Sequence, residues 1–178
     1  PDELLRARPF ACVELARAAT EVGRLDEAER RLRDAERWLP GPDDDPSGAV
    51  PAGPGGIPLE AAIATARAYR AQAGADLDAT IRHARRALDL LPEDEAFERG
   101  VVLAVQGLAL WSRGEIDAGH DAFAEGLVAM ARAGGMLGLS PSYVLADMRI
   151  AQGRFREAER IYRDALAGAA ADDAAEGA

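Results

Sequence analysis

Apolar and small residues recur along the chain at steps of three and four. Leu25, Ala28, Leu32 and Ala35, followed by Pro40, are echoed by Leu77, Thr80, Ala84 and Ala87, followed by Pro92. The same steps run through Ile116, Gly119, Phe123 and Gly126, and again through Phe155, Ala158, Tyr162 and Ala165. Such steps put one set of side chains on one face of an α-helix, whereas a strand alternates at every second residue. Polar residues fill the other faces. In three of the units a glycine stands two places before the set (Gly23, Gly114, Gly153), and in the second unit Gly74 stands one place earlier still. A glycine there suits the left-handed turn that ends the preceding helix. Each unit therefore reads as helix, tight turn, helix.

Extended along the chain, the pattern predicts helices at about 2–22, 25–38, 58–73, 76–91, 94–113, 115–133, 140–152 and 154–168. Ser140 and Pro141 read as an N-cap and a first helical residue, in preference to a helix from Met136 kinked at Pro141. Intervals between the leading residues are 52, 39 and 39. The surplus in the first falls at 40–58, where 11 of 19 residues are proline or glycine and Asp43, Asp44 and Asp45 form an acidic run. Regular helix is excluded there. An extended, protease-sensitive loop is expected. The fold class is all-α: one repeat domain over 1–178, with hairpins at about 2–38, 58–91, 94–133 and 140–168 and a tail at 169–178.

Leu15, Ala16, Gly23, Ala28, Leu32, Ala35 and Pro40 together resemble the tetratricopeptide (TPR) consensus. The stretches HARRALDLLPEDEAFERG (83–100) and LADMRIAQGRFREAERIYRDAL (145–166) narrow the resemblance. With the proline-rich gap after AERWLP (35–40), they are similar to the helical superhelix of MalT-type, large ATP-dependent LuxR-family transcriptional regulators. The similarity covers roughly residues 4–168. It implies a tetratricopeptide-like α-superhelix that senses an inducer in a bacterial, cytoplasmic regulator, coupled to ATP-driven self-association and promoter binding. A P-loop ATPase would precede it and a helix-turn-helix would follow. The chain has no lysine and so no G-x-x-x-x-G-K-[ST]. ATP hydrolysis and DNA reading are therefore implied for a longer protein, of which this chain, opening at Pro1 without methionine, reads as a piece.

Composition supports helices and narrows the partners. There are 40 alanines, the best helix former, and aromatics make up only 5%. The net charge is −10, and all 21 basic residues are arginine. That balance repels phosphate backbones and anionic lipid, so neither nucleic acid nor membrane is an expected partner. No apolar run approaches the roughly 18 residues a membrane span needs. Cys12 stands alone, which excludes an intrachain disulfide and a cysteine zinc site.

Catalytic, metal and cofactor sites are not expected, and the chain does not read as an enzyme. His83 and His120 sit among charged neighbours and read as solvated. Ser112, His120 and Asp121 lack a nucleophile elbow. The acidic run lacks the glycine and glutamate of a calcium loop. Gly134 and Gly135 read as a helix stop. Glu29/Arg33 and Glu159/Arg163 read as surface ion pairs, each contributing about 0.2–0.5 kcal/mol.

The groove is the candidate site. In a tetratricopeptide stack the first helix of each hairpin lines the concave side. Here that places Val13 and Arg17, then Thr65, Tyr69 and Gln72, then Ala104, Leu108 and Trp111, then Tyr143, Asp147 and Ile150 along it. Arg17, Tyr69, Gln72, Leu108, Trp111, Tyr143 and Asp147 are the candidate ligand contacts, with the three rings forming a stacking ladder. The competing reading packs those rings between hairpins. The expected partner is a small-molecule or peptide inducer, or a protein if the chain is a scaffold module. Without lysine or asparagine the chain cannot build the carboxylate clamp of chaperone-binding relatives. Phe155, Ile161, Tyr162 and Leu166 on the last hairpin suggest weak self-association through that end.

Overall fold

A computed structural model describes residues 7–41, 52–134 and 139–176, with backbone alone at 139–140 and 169–176. The acidic run at 43–45 and the positions 135–138 lie outside the described residues. Eight α-helices are present among those described: α1 (Pro9–Glu21), α2 (Leu25–Glu36), α3 (Leu59–Ala73), α4 (Leu77–Leu90), α5 (Ala96–Ser112), α6 (Ile116–Arg132), α7 (Leu139–Ala151) and α8 (Phe155–Glu176). Ahead of α3 a single 3₁₀ turn (Pro54–Gly56) and an isolated antiparallel bridge from Ala52 to Pro58 tie down the end of the long connection.

Three boundaries differ from the sequence expectation. The helix expected from about residue 2 does not run unbroken: the proline ring holds Arg8 out of the helical region, at φ −130° and ψ 86°, and α1 starts at Pro9, while residues 1–6 lie outside the described ones. Among the described residues α7 runs from Leu139, so Ser140 already lies within the helix and Pro141 does not open it. The last helix continues to Glu176, through residues expected to form a tail. Its alanine-rich extension keeps a high helix propensity.

Four turns join the helices of the hairpins, and all four are built alike. Gly23, Ala75, Gly114 and Gly153 take φ values of 75°, 58°, 92° and 74°. Each donates its N–H to the carbonyl three residues back, and the next residue donates to the carbonyl five back, as in Arg24 to Ala19 and Asp76 to Ala71. These paired bonds satisfy carbonyls that a helix end leaves open. In the second hairpin the left-handed residue is Ala75 and not Gly74, whose own φ is −84°. A side chain at positive φ is strained, so Ala75→Gly is expected to stabilise the chain by about 0.5–1 kcal/mol. Thermal unfolding of the variant checks this; an unchanged or lower midpoint would show that the strain is absent.

Each hairpin pairs its own helices, and the first helices also meet one another, α1 against α3 and α3 against α5. This produces a tetratricopeptide-like superhelix whose core is small-residue rich. Cys12, Val13, Ala16, Ala28, Leu32, Leu59 and Ile63 make one buried cluster between the first hairpin and α3. The third hairpin is the tightest. A Cβ on Gly107 would stand 2.6 Å from the Phe123 nitrogen, and one on Gly126 would stand 2.5 Å from the Gly100 oxygen.

Polar ties lock successive hairpins together. Arg70 of α3 donates to the Leu25 carbonyl at the start of α2. Arg113, at the end of α5, reaches Asp78 at the start of α4 at 2.7 Å. Gln152, at the end of α7, reaches Asp117 at the start of α6 at 2.7 Å. Arg99 of α5 donates to the Leu88 and Leu91 carbonyls, closing the C-terminus of α4. Glu29 is more than a surface partner of Arg33, because it also meets Arg67 and Arg70 of α3, each at 3.2 Å. Glu159 and Arg163 do form the expected pair, at 2.6 Å on an exposed face.

Candidate functional site

The first helices bring Arg17, Tyr69 and Gln72 to one open cleft. Arg17 and Gln72 project from α1 and α3 four and one residues before those helices end, and Tyr69 lies one turn before Gln72. The cleft has a volume of about 270 Å³ and is lined by Arg17, Thr20, Glu21, Tyr69, Gln72 and Ala73. The Arg17 guanidinium carbon lies 5.7 Å from the centre of the Tyr69 ring, within cation–π reach. Arg17 also meets Glu14 at 3.8 Å. Thr20 is satisfied within α1, its hydroxyl donating to the Ala16 carbonyl at 2.8 Å. Burial raises the pKa of Tyr69, Arg17 opposes this, and the carboxylates of Glu98 and Glu21 add to it.

A second cleft opens on the other side of Arg17. Its walls include Phe10, Val13, Ile57 and Leu91, with Glu14 and Glu98 at polar positions. Val13 and Thr65, both expected on the concave surface, are buried yet contribute to this wall. Glu14, Glu21 and Glu98 were not among the sequence candidates. Glu14 and Glu21 were open to inference, since three and four residues from Arg17 put them on its face of α1. Glu98 was not, because it comes from the next hairpin.

Leu108, Trp111, Tyr143 and Asp147 are engaged elsewhere. Leu108 and Trp111 are half-buried and pack against the cluster of Phe123, Leu127 and Met148 between the third and fourth hairpins. Tyr143, 38% exposed, faces Tyr162 of α8 with ring centres 5.6 Å apart. The Tyr162 hydroxyl donates to Asp147 Oδ1 at 2.7 Å. That hydrogen bond holds the Tyr162 proton and raises its pKa. Tyr69 thus faces Arg17, Trp111 faces the packing cluster, and Tyr143 faces its own hairpin partner.

The histidines are not both solvated. His120 is 5% exposed, with Nδ1 3.0 Å from Asp121 Oδ1. It stands four residues after Ile116, as the buried Ile81 stands four after Leu77, so the repeat register turns it toward the next hairpin. His83 is half-buried; burial lowers its pKa, and the guanidinium groups of Arg67 and Arg82 lower it further. Among the described residues no group of three or more His, Cys, Asp or Glu side chains is placed to hold a metal ion. Among them, too, no helix is long and apolar enough to cross a membrane.

No curated protein and no solved structure matches the chain. The family model for the MalT-like TPR region matches residues 61–176, more than half of its length. Helical repeats of this type are generally non-catalytic. With the match running through three of its four turn-linked hairpins, the chain belongs to the family of MalT-like TPR regions.

Proposed function

We propose that this chain is the ligand-sensing superhelix of a larger bacterial, LuxR-type transcriptional regulator, and that the cleft of Arg17, Tyr69 and Gln72 receives the inducer or partner. One observation carries the reading: at this place an aromatic face, a guanidinium and a primary amide converge on open space. Concave sites with a few convergent polar groups are where ligands bind. Because the cleft lies between the first helices of two hairpins, a ligand there would change how α1 sits on α3. That gives a binding event a route into the shape of the stack. ATP hydrolysis and promoter reading then belong to other parts of the regulator, which acts in the cytoplasm.

Calorimetric titration with oligosaccharides and short peptides tests the site. Tyr69→Leu keeps most of the apolar volume but removes the ring face. It is expected to weaken a bound ligand about tenfold or more. Binding that survives Tyr69→Leu unchanged would move the site off this cleft. The scaffold reading draws on the second cleft beyond Arg17, which would let an extended peptide run along α1. A ligand set limited to peptides would favour it.

The far end of the stack supports weak self-association. Phe155 is 66% and Leu166 59% exposed, whereas Leu25, Leu77 and Ile116, which match Phe155 in the repeat, are half-buried. Sedimentation across a wide concentration range should show a concentration-dependent dimer that Phe155→Glu removes. Monomer at every concentration would refute it.

A further inference from the structure

The charge around Tyr69 says more than the shape does. One guanidinium, Arg17, stands among three carboxylates: Glu21 in the same cleft, and Glu14 and Glu98 in the adjoining one. Arg17 is held by a ring face at 5.7 Å and by a long ion pair to Glu14 at 3.8 Å. Neither contact is strong: the ring contact is only partly desolvated, and an ion pair at 3.8 Å to the exposed Glu14 is screened by water. An anionic ligand would find one loosely held cation and three repelling carboxylates. A cationic ligand would find the face of an aromatic ring, whose quadrupole attracts positive charge, ringed by that surplus of negative charge. The chain's net charge of −10 also draws cations in from solution. Beside the ring, Phe10, Val13, Ile57 and Leu91 offer an apolar wall within the neighbouring cleft.

We propose that the cleft takes an organic cation joined to an apolar group, an ammonium or guanidinium that seats on Tyr69 in the place Arg17 occupies. Arg17 is then an internal stand-in for the ligand, displaced when the ligand arrives. The apolar group lies against the wall of Phe10 and Leu91, and Glu21 and Glu98 flank the charge. This deepens the sensing role proposed above and rests on it. The cation can come from a free amine or from a basic side chain within a peptide.

The test titrates the chain with phenethylammonium, with a capped leucine-arginine-leucine tripeptide, and with the same tripeptide carrying glutamate for arginine. Expected are binding of a cationic probe and none of the acidic one. Arg17→Met, which keeps the stem and removes the competing charge, should tighten the cationic probe about threefold or more. Tyr69→Leu should weaken it about tenfold, and Glu98→Gln should weaken it less. The stronger of the two cationic probes identifies the source. Tighter binding of the acidic tripeptide, weaker cation binding by Arg17→Met, or no binding of either cation overturns the proposal. If the acidic tripeptide binds and Tyr69→Leu abolishes it, the cation is wrong and the sensing cleft stands. Ligands indifferent to Tyr69→Leu would remove the cleft itself.

Discussion

Gly107→Ala is expected to destabilise the chain by about 2 kcal/mol, even though alanine is the better helix former by about 1 kcal/mol. The reason is the contact between α5 and α6. A methyl at Gly107 would sit 2.6 Å from the Phe123 nitrogen and 2.7 Å from the Gly119 oxygen. Both are backbone atoms inside a helix, and neither can move without parting the pair. Gly119 meets the reciprocal limit, 2.7 Å from the Trp111 nitrogen, and Gly100 and Gly126 repeat the arrangement two turns away. Gly168 of α8 supplies the control: a Cβ there meets nothing within 4 Å. Gly168→Ala should therefore stabilise by about 0.5–1 kcal/mol, from helix propensity alone. Chemical denaturation of the two variants separates propensity from packing. A neutral or stabilising Gly107→Ala would mean that the helices can relax apart at little cost.

Removing the guanidinium at Arg67 should cost about 2 kcal/mol at neutral pH, and the loss should shrink in acid. Arg67 bonds Glu36 at 2.6 Å and Glu29 at 3.2 Å, joining α3 to the hairpin before it. Its side chain and that of Glu29 are each 19% exposed, so the pair is only partly screened by water. Burial alone would raise the pKa of Glu29, but Arg67, Arg33 and Arg70 outweigh it and hold the value below the ordinary range. A carboxyl depressed in the folded state contributes stability above its unfolded pKa and loses it as pH falls through the folded one. In Arg67→Met the two carboxylates lose that partner, so the gap between wild type and variant is widest at neutral pH. It should narrow once pH drops below about 4, where glutamates protonate in the unfolded chain. Denaturation curves at neutral and acid pH measure the gap. A difference independent of pH would assign the effect to packing of the Arg67 stem and not to charge.

The second helices of the hairpins were readable residue by residue. Leu25, Leu77, Ile116 and Phe155 each open a helix at the position the spacing predicts, and glycine two places before marks three of the four turns. That information is local, because helix periodicity and a left-handed turn involve neighbours only a few residues apart. Ala75 escaped for the same reason in reverse: local preference pointed to Gly74, and the demand that hairpin two close like the others placed the strain on alanine. The first helices were less legible. α3 and α5 are apolar on several faces, since they meet partners in their own and neighbouring hairpins, so no single stripe identifies the exposed side.

That ambiguity is why the candidate site was only partly visible. Arg17, Tyr69 and Gln72 share a cleft, whereas Leu108 and Trp111 lie against Phe123 and Met148, and Tyr143 turns to Tyr162. A repeat register assigns each ring to the same side of its helix, but what covers it differs: Arg17 of the preceding hairpin for Tyr69, Met148 and its neighbours across the next interface for Trp111, and Tyr162 of the same hairpin for Tyr143. His120 and Glu98 depend on neighbouring hairpins in the same way. Local chemistry by itself determined the helices, their turns and the repeat, because each rests on backbone preferences and on spacing within a few residues. Only the tertiary structure decided which faces meet. Burial, the Gly107–Gly119 approach and the gathering of Glu98 and Glu21 around Tyr69 all join residues distant in the chain, and no local spacing encodes those distances.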